Sequence, residues 1–361
     1  MKKISRITTL YFRRRIWFRL ALITLILSFW AYIVVGDLSP ITEHDLNYQA
    51  LTTITERYQN NNTPLTFAFL ADSKNSPVFQ NIIRELNRDT SLQFAILGGD
   101  LVLYPEKNTF TSFLRQRQDL VIPSLTLPGN HDVAFDNIDL YYHIFGRMYY
   151  SFVLGNNKFI LLDNSNEKNL GLEQEAWLKK ELQDGMQYKN RFVFMHVPLW
   201  DPRDKPGVVV RYAHSLKDPD VARRLEDLFL KYKVTTLFAS HIHSYYADSP
   251  RGLPTIVSGG AGAELVGNDP KHTFYHYVRV TVDSDKLSIE VIKINQPIKY
   301  RGINKYLSIA GLYIKTLGRI YVQYVLIGFF LLVLTVDGLL EYLYQRKQAP
   351  AARNTSEKGN V

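Results

Sequence analysis

Residues 94–100, Phe-Ala-Ile-Leu-Gly-Gly-Asp (FAILGGD), read as a short buried strand that stops at two glycines and an aspartate. The same arrangement recurs along the chain: an apolar, β-rich run ends in a polar cluster. Leu65–Ala71 runs into Asp72-Ser73-Lys74, and Ser124–Leu127 leads through Pro128 into Gly129-Asn130-His131-Asp132. Arg191–Met195 ends in His196-Val197-Pro198, and Thr235–Ala239 runs through Ser240 into His241-Ile242-His243. In open α/β sheets, ligands bind beyond the carboxyl ends of strands, where these clusters fall. Two aspartates, one asparagine and three histidines form a ligand set for a pair of divalent cations. Carboxylate and amide oxygens suit hard metals, and imidazole suits Mn, Fe or Zn.

Helical patterns separate the strands, near Pro77–Arg88, Thr109–Leu120, Glu173–Leu182 and Pro219–Tyr232. Ser151–Val153 and Lys158–Asp163 read as a hairpin across Gly155-Asn156-Asn157, and Thr255–Ser258, Tyr275–Val282 and Leu287–Ile294 as later strands. Alternating helices and fully apolar strands imply a sheet covered on both faces. Late strands without helices imply a second sheet, hence an α/β sandwich. The aromatic stretch Tyr141–Phe145 with Tyr149-Tyr150 fits a substrate wall or a core hairpin, and the loop Trp200–Val210 is a candidate cap over the cleft.

Taken singly, each cluster has an ordinary explanation. Gly-Gly-Asp is commonly just a turn, although glycines also allow close backbone approach and leave Asp100 free to bridge two cations. Asp72 serves equally as a helix N-cap. Asn130 offers a neutral oxygen, His131 is placed to face a phosphate, and Asp132 to fix the tautomer of a neighbouring imidazole. His196 alone reads as a structural histidine. His241 and His243 are two apart and share one side of an extended chain. The ordered set, each member at a strand end, is what points to a metal site.

The chain has 361 residues, no cysteine and a formal charge of +9. Without cysteine, neither disulfides nor a thiolate metal site exists. Lys2, Lys3, Arg6, Arg13, Arg14, Arg15 and Arg19 open the chain without an acid, and Arg346, Lys347, Arg353 and Lys358 outnumber Glu341 and Glu357 at its end. These two ends account for the whole excess. A neutral middle is a poor nucleic-acid footprint, so no nucleic-acid partner is expected. The basic ends instead flank two apolar stretches. Leu20–Val35 reads as an uncleaved anchor, because no small-x-small cleavage site follows it, and residues 320–340 are long enough to cross a bilayer. Lys and Arg near membrane ends favour the cytoplasm. The expected order is therefore a basic cytoplasmic head (1–19), a transmembrane helix (20–35), a connector (36–64) and a catalytic domain outside the cytoplasm (65–296). A linker or interfacial helix (297–319), a second transmembrane helix (320–340) and a basic cytoplasmic tail (341–361) follow. Residues 348–361 are expected to be disordered. The stretch Tyr306–Arg319 suits an interfacial amphipathic helix and a core-packing helix equally well.

From about Leu65 to Gln296 the sequence resembles the calcineurin-like metallophosphoesterase superfamily, whose pattern runs D-x-H, G-D, G-N-H-D/E, H and G-H-x-H. Leu162-Asp163, Gln174, Trp177-Leu178 and Ser258-Gly259-Gly260-Ala261-Gly262 agree with it. The resemblance implies a four-layer αββα sandwich whose two-metal centre hydrolyses phosphoesters with a metal-activated hydroxide. Asp100 would bridge the ions, Asp72 and His243 would hold one, and Asn130, His196 and His241 the other. His131 would contact phosphate and protonate the leaving group, with Asp132 orienting it. Two departures stand out. Ser240 replaces the glycine before His241, and Lys74 stands where a histidine ligand is expected. A protonated lysine has no acceptor and does not coordinate a cation. One or two divalent ions are therefore expected, with Lys74 directed to the substrate phosphate as a point charge. The expected activity is that of a phosphatase or phosphodiesterase on a phosphorylated substrate, including lipid or envelope-associated ones. Lys74 also raises an alternative, a degenerate relative that binds a phosphorylated ligand with little turnover.

Overall fold

The computed structural model describes residues 2–38, 40–59, 64–134, 137–204, 214–284, 286–296 and 302–356. It separates into two compact units, Met1–Pro40 with Leu317–Val361, and Ile41–Thr316. The chain begins with α1 (Lys2–Leu38) and enters the second unit through α2 (Leu46–Gln59). There follow β1 (Leu65–Leu70), α3 (Pro77–Arg88), β2 (Phe94–Leu97), α4 (Lys107–Arg117), β3 (Ser124–Thr126) and α5 (Ile138–Phe145). The next stretch holds β4 (Tyr150–Leu154), β5 (Asn157–Leu161), α6 (Leu172–Asp184), β6 (Asn190–Phe194), α7 (Pro219–Lys231) and β7 (Thr236–Ala239). Then come β8 (Tyr245–Asp248), β9 (Thr255–Ser258), β10 (His276–Asp283), β11 (Lys286–Lys293), α8 (Gly302–Ile320) and α9 (Val322–Ser356).

One sheet is ordered β11-β10-β1-β2-β3, the other β4-β5-β6-β7-β9-β8. In both, the central strands pair in parallel and antiparallel strands sit toward an edge. Alternate side chains of one strand point to opposite faces. Thus Phe67 and Phe69 of β1 face the second sheet while Ala68 and Leu70 face α3 and α4. In the second sheet, Phe192 and Phe194 of β6 enter the same inter-sheet core, and Val193 packs with Leu178 of α6 and Leu225 of α7. Helix, sheet, sheet, helix: these four layers are the αββα sandwich expected. Helix α3 shows how local sequence sets an element. Ser76 caps it by accepting from the Val78 N–H, Pro77 fits its first turn, and Val78, Phe79, Ile82, Ile83 and Leu86 form the buried stripe.

Several details differ from expectation. Although Tyr150 opens the core hairpin β4–β5, Tyr141–Phe145 is not part of a hairpin. It lies in α5, with Tyr141, Ile144 and Phe145 buried against the first-sheet core. The pattern there is too short for helical periodicity to show against so many aromatic residues. Strand β8 was also missed, since Tyr245–Asp248 directly follows a polar cluster and is an edge strand with little burial. The polar tail, expected to be disordered from residue 348, is helical as far as Ser356. Of the loop Trp200–Val210 proposed as a cap, residues 205–210 lie outside the described residues. In α8, Leu312 packs on the first-sheet core, whereas Ile303, Tyr306, Leu307 and Ile314 are exposed.

In the terminal unit, Arg14–Val35 and Val322–Tyr344 are 22 and 23 residues long, apolar enough to cross a membrane and almost entirely unburied. Phe29 stacks near Phe330 at 6.0 Å. Asp337, inside the second stretch, is paired with Arg15 at 3.2 Å and Arg19 at 2.7 Å, and Arg19 also bonds Glu341.

The Phe67 ring is fully buried and lies within 6.3 Å, centroid to centroid, of Phe94, Phe159, Phe192, Phe194 and Phe238. Phe67→Ala should cost about 3–5 kcal/mol through lost burial and a residual cavity. Denaturant unfolding in detergent measures this, and a loss below about 1 kcal/mol would contradict the inter-sheet core described.

Candidate metal centre

The turn after each central strand carries a candidate ligand, and the backbone there is unusual. Asp72, Asp100 and His241 have φ of 64°, 53° and 66°, in the left-handed region that non-glycine residues seldom adopt. Such strain persists only where surrounding bonds enforce it. Asp72 N–H donates to Gly99 O at 3.0 Å, and His241 N–H donates to Asp72 Oδ2 at 3.1 Å. The glycines serve close approach. A Cβ on Gly99 (φ 92°) would lie 2.6 Å from Gly129 N, and one on Gly129 would lie 2.2 Å from Asp100 N. The G-G-D and P-G-N turns are therefore packed backbone to backbone.

Three ligand atoms converge on Asp100 Oδ1. Asn130 Oδ1 lies 3.1 Å from His196 Nε2 and 3.1 Å from His241 Nδ1, while His241 Nδ1 and His196 Nε2 are 3.2 Å apart. Asp100 Oδ1 is 3.3 Å from His196 Nε2 and accepts the His131 backbone N–H at 3.0 Å. His196 Nδ1 donates to Gly98 O at 2.8 Å, which turns its Nε2 toward the others. Burial and then the neighbouring His196 push the His241 pKa down to about 2, so this ring is neutral. A cluster of oxygen and imidazole lone pairs with at most one shared N–H is unfavourable alone and fits a divalent cation. Asp100, His196 and His241 place ligand atoms within 4.8 Å of one another.

A second group, Asp72, Asp100 and His243, meets the same distance criterion. Asp72 Oδ1 is buried without a hydrogen-bond partner and lies 3.5 Å from His243 Nε2, whose Nδ1 donates to Glu264 O at 2.7 Å. Lys74 intrudes here. Its buried Nζ sits 3.2 Å from Asp100 Oδ2 and 3.1 Å from His131 Nε2. Burial disfavours the Lys74 ammonium, but the pull of Asp100, Asp72 and Glu264 outweighs it and raises its pKa. Burial likewise opposes ionisation of Asp100, yet His196, Lys74, His131 and His241 hold its carboxyl well below the usual range.

His131 Nδ1 donates to Leu103 O at 2.8 Å, so its Nε2 accepts from Lys74. The expectation that Asp132 orients this imidazole is corrected. Its carboxylate instead accepts backbone N–H groups of Leu101 (2.8 Å), Val102 (3.1 Å) and Gly129 (2.8 Å). It ties the Asp100 turn to the Asn130 turn and leaves ring orientation to a carbonyl. Ser240 does more than tolerate its turn, since its hydroxyl donates to Gly98 O at 2.7 Å, beside His196 Nδ1. Sequence reasoning missed Asn164, whose Oδ1 accepts from the backbone of His196 and Val197. It also missed Glu264, which accepts from the Tyr313 hydroxyl of α8. No motif marks either one. The only signal for Asn164 is that it closely follows the strand end at Leu162-Asp163.

Comparison with known proteins identifies the family. The calcineurin-like phosphoesterase family profile matches residues 32–245. Serine/threonine-protein phosphatase CPPED1 of Bos taurus is 29% identical over 209 residues, covering 53% of this chain and 64% of that protein. The chain thus spans less than two thirds of that relative's length. The purple acid phosphatase PPD1 from yellow lupin (Lupinus luteus) seeds superposes with a TM-score of 0.52 at 19% identity, over 69% of this chain and 56% of that one, a likeness of fold. With the matched profile covering more than half of the sequence, the chain belongs to the calcineurin-like phosphoesterase family.

Proposed function

We propose that this chain is a membrane-anchored, metal-dependent hydrolase of phosphoesters. The observation that carries the reading is the convergence of Asp100 Oδ1, Asn130 Oδ1, His196 Nε2 and His241 Nδ1 at 3.1–3.3 Å. A divalent ion bound there supplies Lewis-acid polarisation of a phosphoryl oxygen and a lowered pKa for an attacking water. The rest falls to the chain's own groups. Lys74 offers positive charge to the phosphate oxygens. His131, its tautomer fixed by Leu103 O, presents Nε2 beside Lys74 and, when protonated, passes a proton to the departing alcohol oxygen. Asp132 and Asn164 keep these turns in place through backbone bonds.

Anchoring is supported by two long, unburied apolar helices and by the pairing of Asp337 with Arg15 and Arg19. Ionisable residues in a membrane segment pair with one another, and this pairing sets the start of the first helix beside the end of the second. Both basic termini then share the cytoplasmic side and the phosphoesterase unit faces away from it. The exposed Ile303, Tyr306, Leu307 and Ile314 of α8 suit contact with a lipid surface, which favours a lipid or envelope-associated phosphate as substrate. One observation favours a second reading. Lys74 in place of a ligand would also suit a protein that binds a phosphorylated ligand without cleaving it.

Full-length protein in detergent with added Mn or Zn should hydrolyse generic phosphate mono- or diesters, and a chelator should abolish this. Silence on both classes with retained phosphate binding would favour the non-hydrolytic reading. His131→Ala should lower kcat about 10²–10⁴-fold with the metal content unchanged, and an undiminished kcat would remove His131 from the chemistry. Because the native chain lacks cysteine, single-cysteine labelling reads the topology directly. Tyr48→Cys, at an exposed position, should react with an impermeant maleimide on intact cells, and Ala351→Cys only after permeabilisation. The reverse pattern would invert the orientation.

A further inference from the structure

At the second ion's position, Asp72, Asp100 and His243 converge but Lys74 replaces the expected histidine, and the replacement has a specific geometry. Asp100 turns one oxygen to each side. Oδ1 faces the His196 group at 3.3 Å, and Oδ2 faces Lys74 Nζ at 3.2 Å. An ammonium has three donors and no lone pair. At the position where a ligand is expected, Lys74 therefore withdraws a donor atom and places a positive charge on the Asp100 oxygen that faces away from the His196 group. A divalent cation between Asp72 and His243 would have to bind Asp100 Oδ2 against that charge, with one protein ligand fewer.

We infer that the centre holds a single divalent cation, on Asp100, Asn130, His196 and His241, and that the Lys74 ammonium stands in for the other ion as a fixed, non-exchangeable charge. This rests on the hydrolase reading and deepens it. Asp72 and His243 keep structural work without a second ion. Asp72 Oδ2 accepts the backbone N–H of His241, fixing the left-handed turn that aims a ligand of the retained site. His243 is tied to the Glu264 carbonyl at 2.7 Å. Two observations pull the other way: among the described residues Asp72 Oδ1 has no hydrogen-bond partner, and Asp72, Asp100 and His243 still bring ligand atoms together.

The test is metal stoichiometry, read independently of turnover. Full-length protein in detergent is loaded with Mn²⁺, dialysed exhaustively, and measured by elemental analysis and by electron paramagnetic resonance. One ion per chain with a mononuclear signal is expected for the native protein, and Lys74→His should raise the count to two with an exchange-coupled signal. Two tightly held, coupled ions in the native chain would overturn the inference while leaving the hydrolase reading intact. A Lys74→His variant that folds and stays at one ion would also overturn it, because Lys74 would then not be what excludes the second. No retained ion at all would sink the metal-dependent reading itself. The native count decides the matter even if the variant does not fold.

Discussion

Asp100 is the constraint on which the rest of the molecule turns. Its carboxylate is fully buried, so it is tolerated only because positive or donating groups surround it. His196, Lys74 and the His131 backbone N–H come from three different turns, and each approaches one of its two oxygens. To bring them there, the chain packs the G-G-D and P-G-N turns so closely that neither Gly99 nor Gly129 leaves room for a Cβ. Removing the carboxylate would leave a buried lysine and several imidazole lone pairs without the charge that holds them together.

The sandwich supplies the rigidity this needs. Phenylalanine rings from β1, β2, β5, β6 and β7 interlock between the sheets, and the outer faces are covered by α3 and α4 on one side and α6 and α7 on the other. Strands held on both faces have little freedom to shift register. Their carboxyl ends therefore present Asp72, Asp100, His196 and His241 at fixed spacing, and the left-handed φ values of three of these residues are sustained by bonds from neighbouring turns. The stability of the aromatic core is what maintains strain at the site.

Much of this was legible in the sequence because two signals coincided. Apolar runs of strand length marked the sheets, and a polar cluster at the end of each marked the site. An α/β sandwich with a shared metal site followed from that pairing, whereas the four-layer order and the division of ligands between ions came only with the family resemblance. Asp132 was misread because adjacency to His131 suggested contact, whereas a tight turn sends the two side chains apart and gives the carboxylate to backbone donors. Helix α5 was obscured by its aromatic content, and β8 by its exposure. The partners that orient the imidazoles, Gly98 O, Leu103 O and Glu264 O, are backbone carbonyls, which leave no residue-type signature at all. Lys74 was visible as a departure from the family pattern, but only the fold shows that its ammonium reaches Asp100 Oδ2 and His131 Nε2.

The most direct test of the whole account is an anomalous-difference map from crystals of the full-length protein grown with manganese. The account predicts one peak, coordinated by Asp100 Oδ1, Asn130, His196 and His241, with Lys74 Nζ against Asp100 Oδ2. Strong density between Asp72 and His243 would contradict the assignment of that second position to lysine. A map with no peak among the four donors would contradict the metal centre from which the function was inferred.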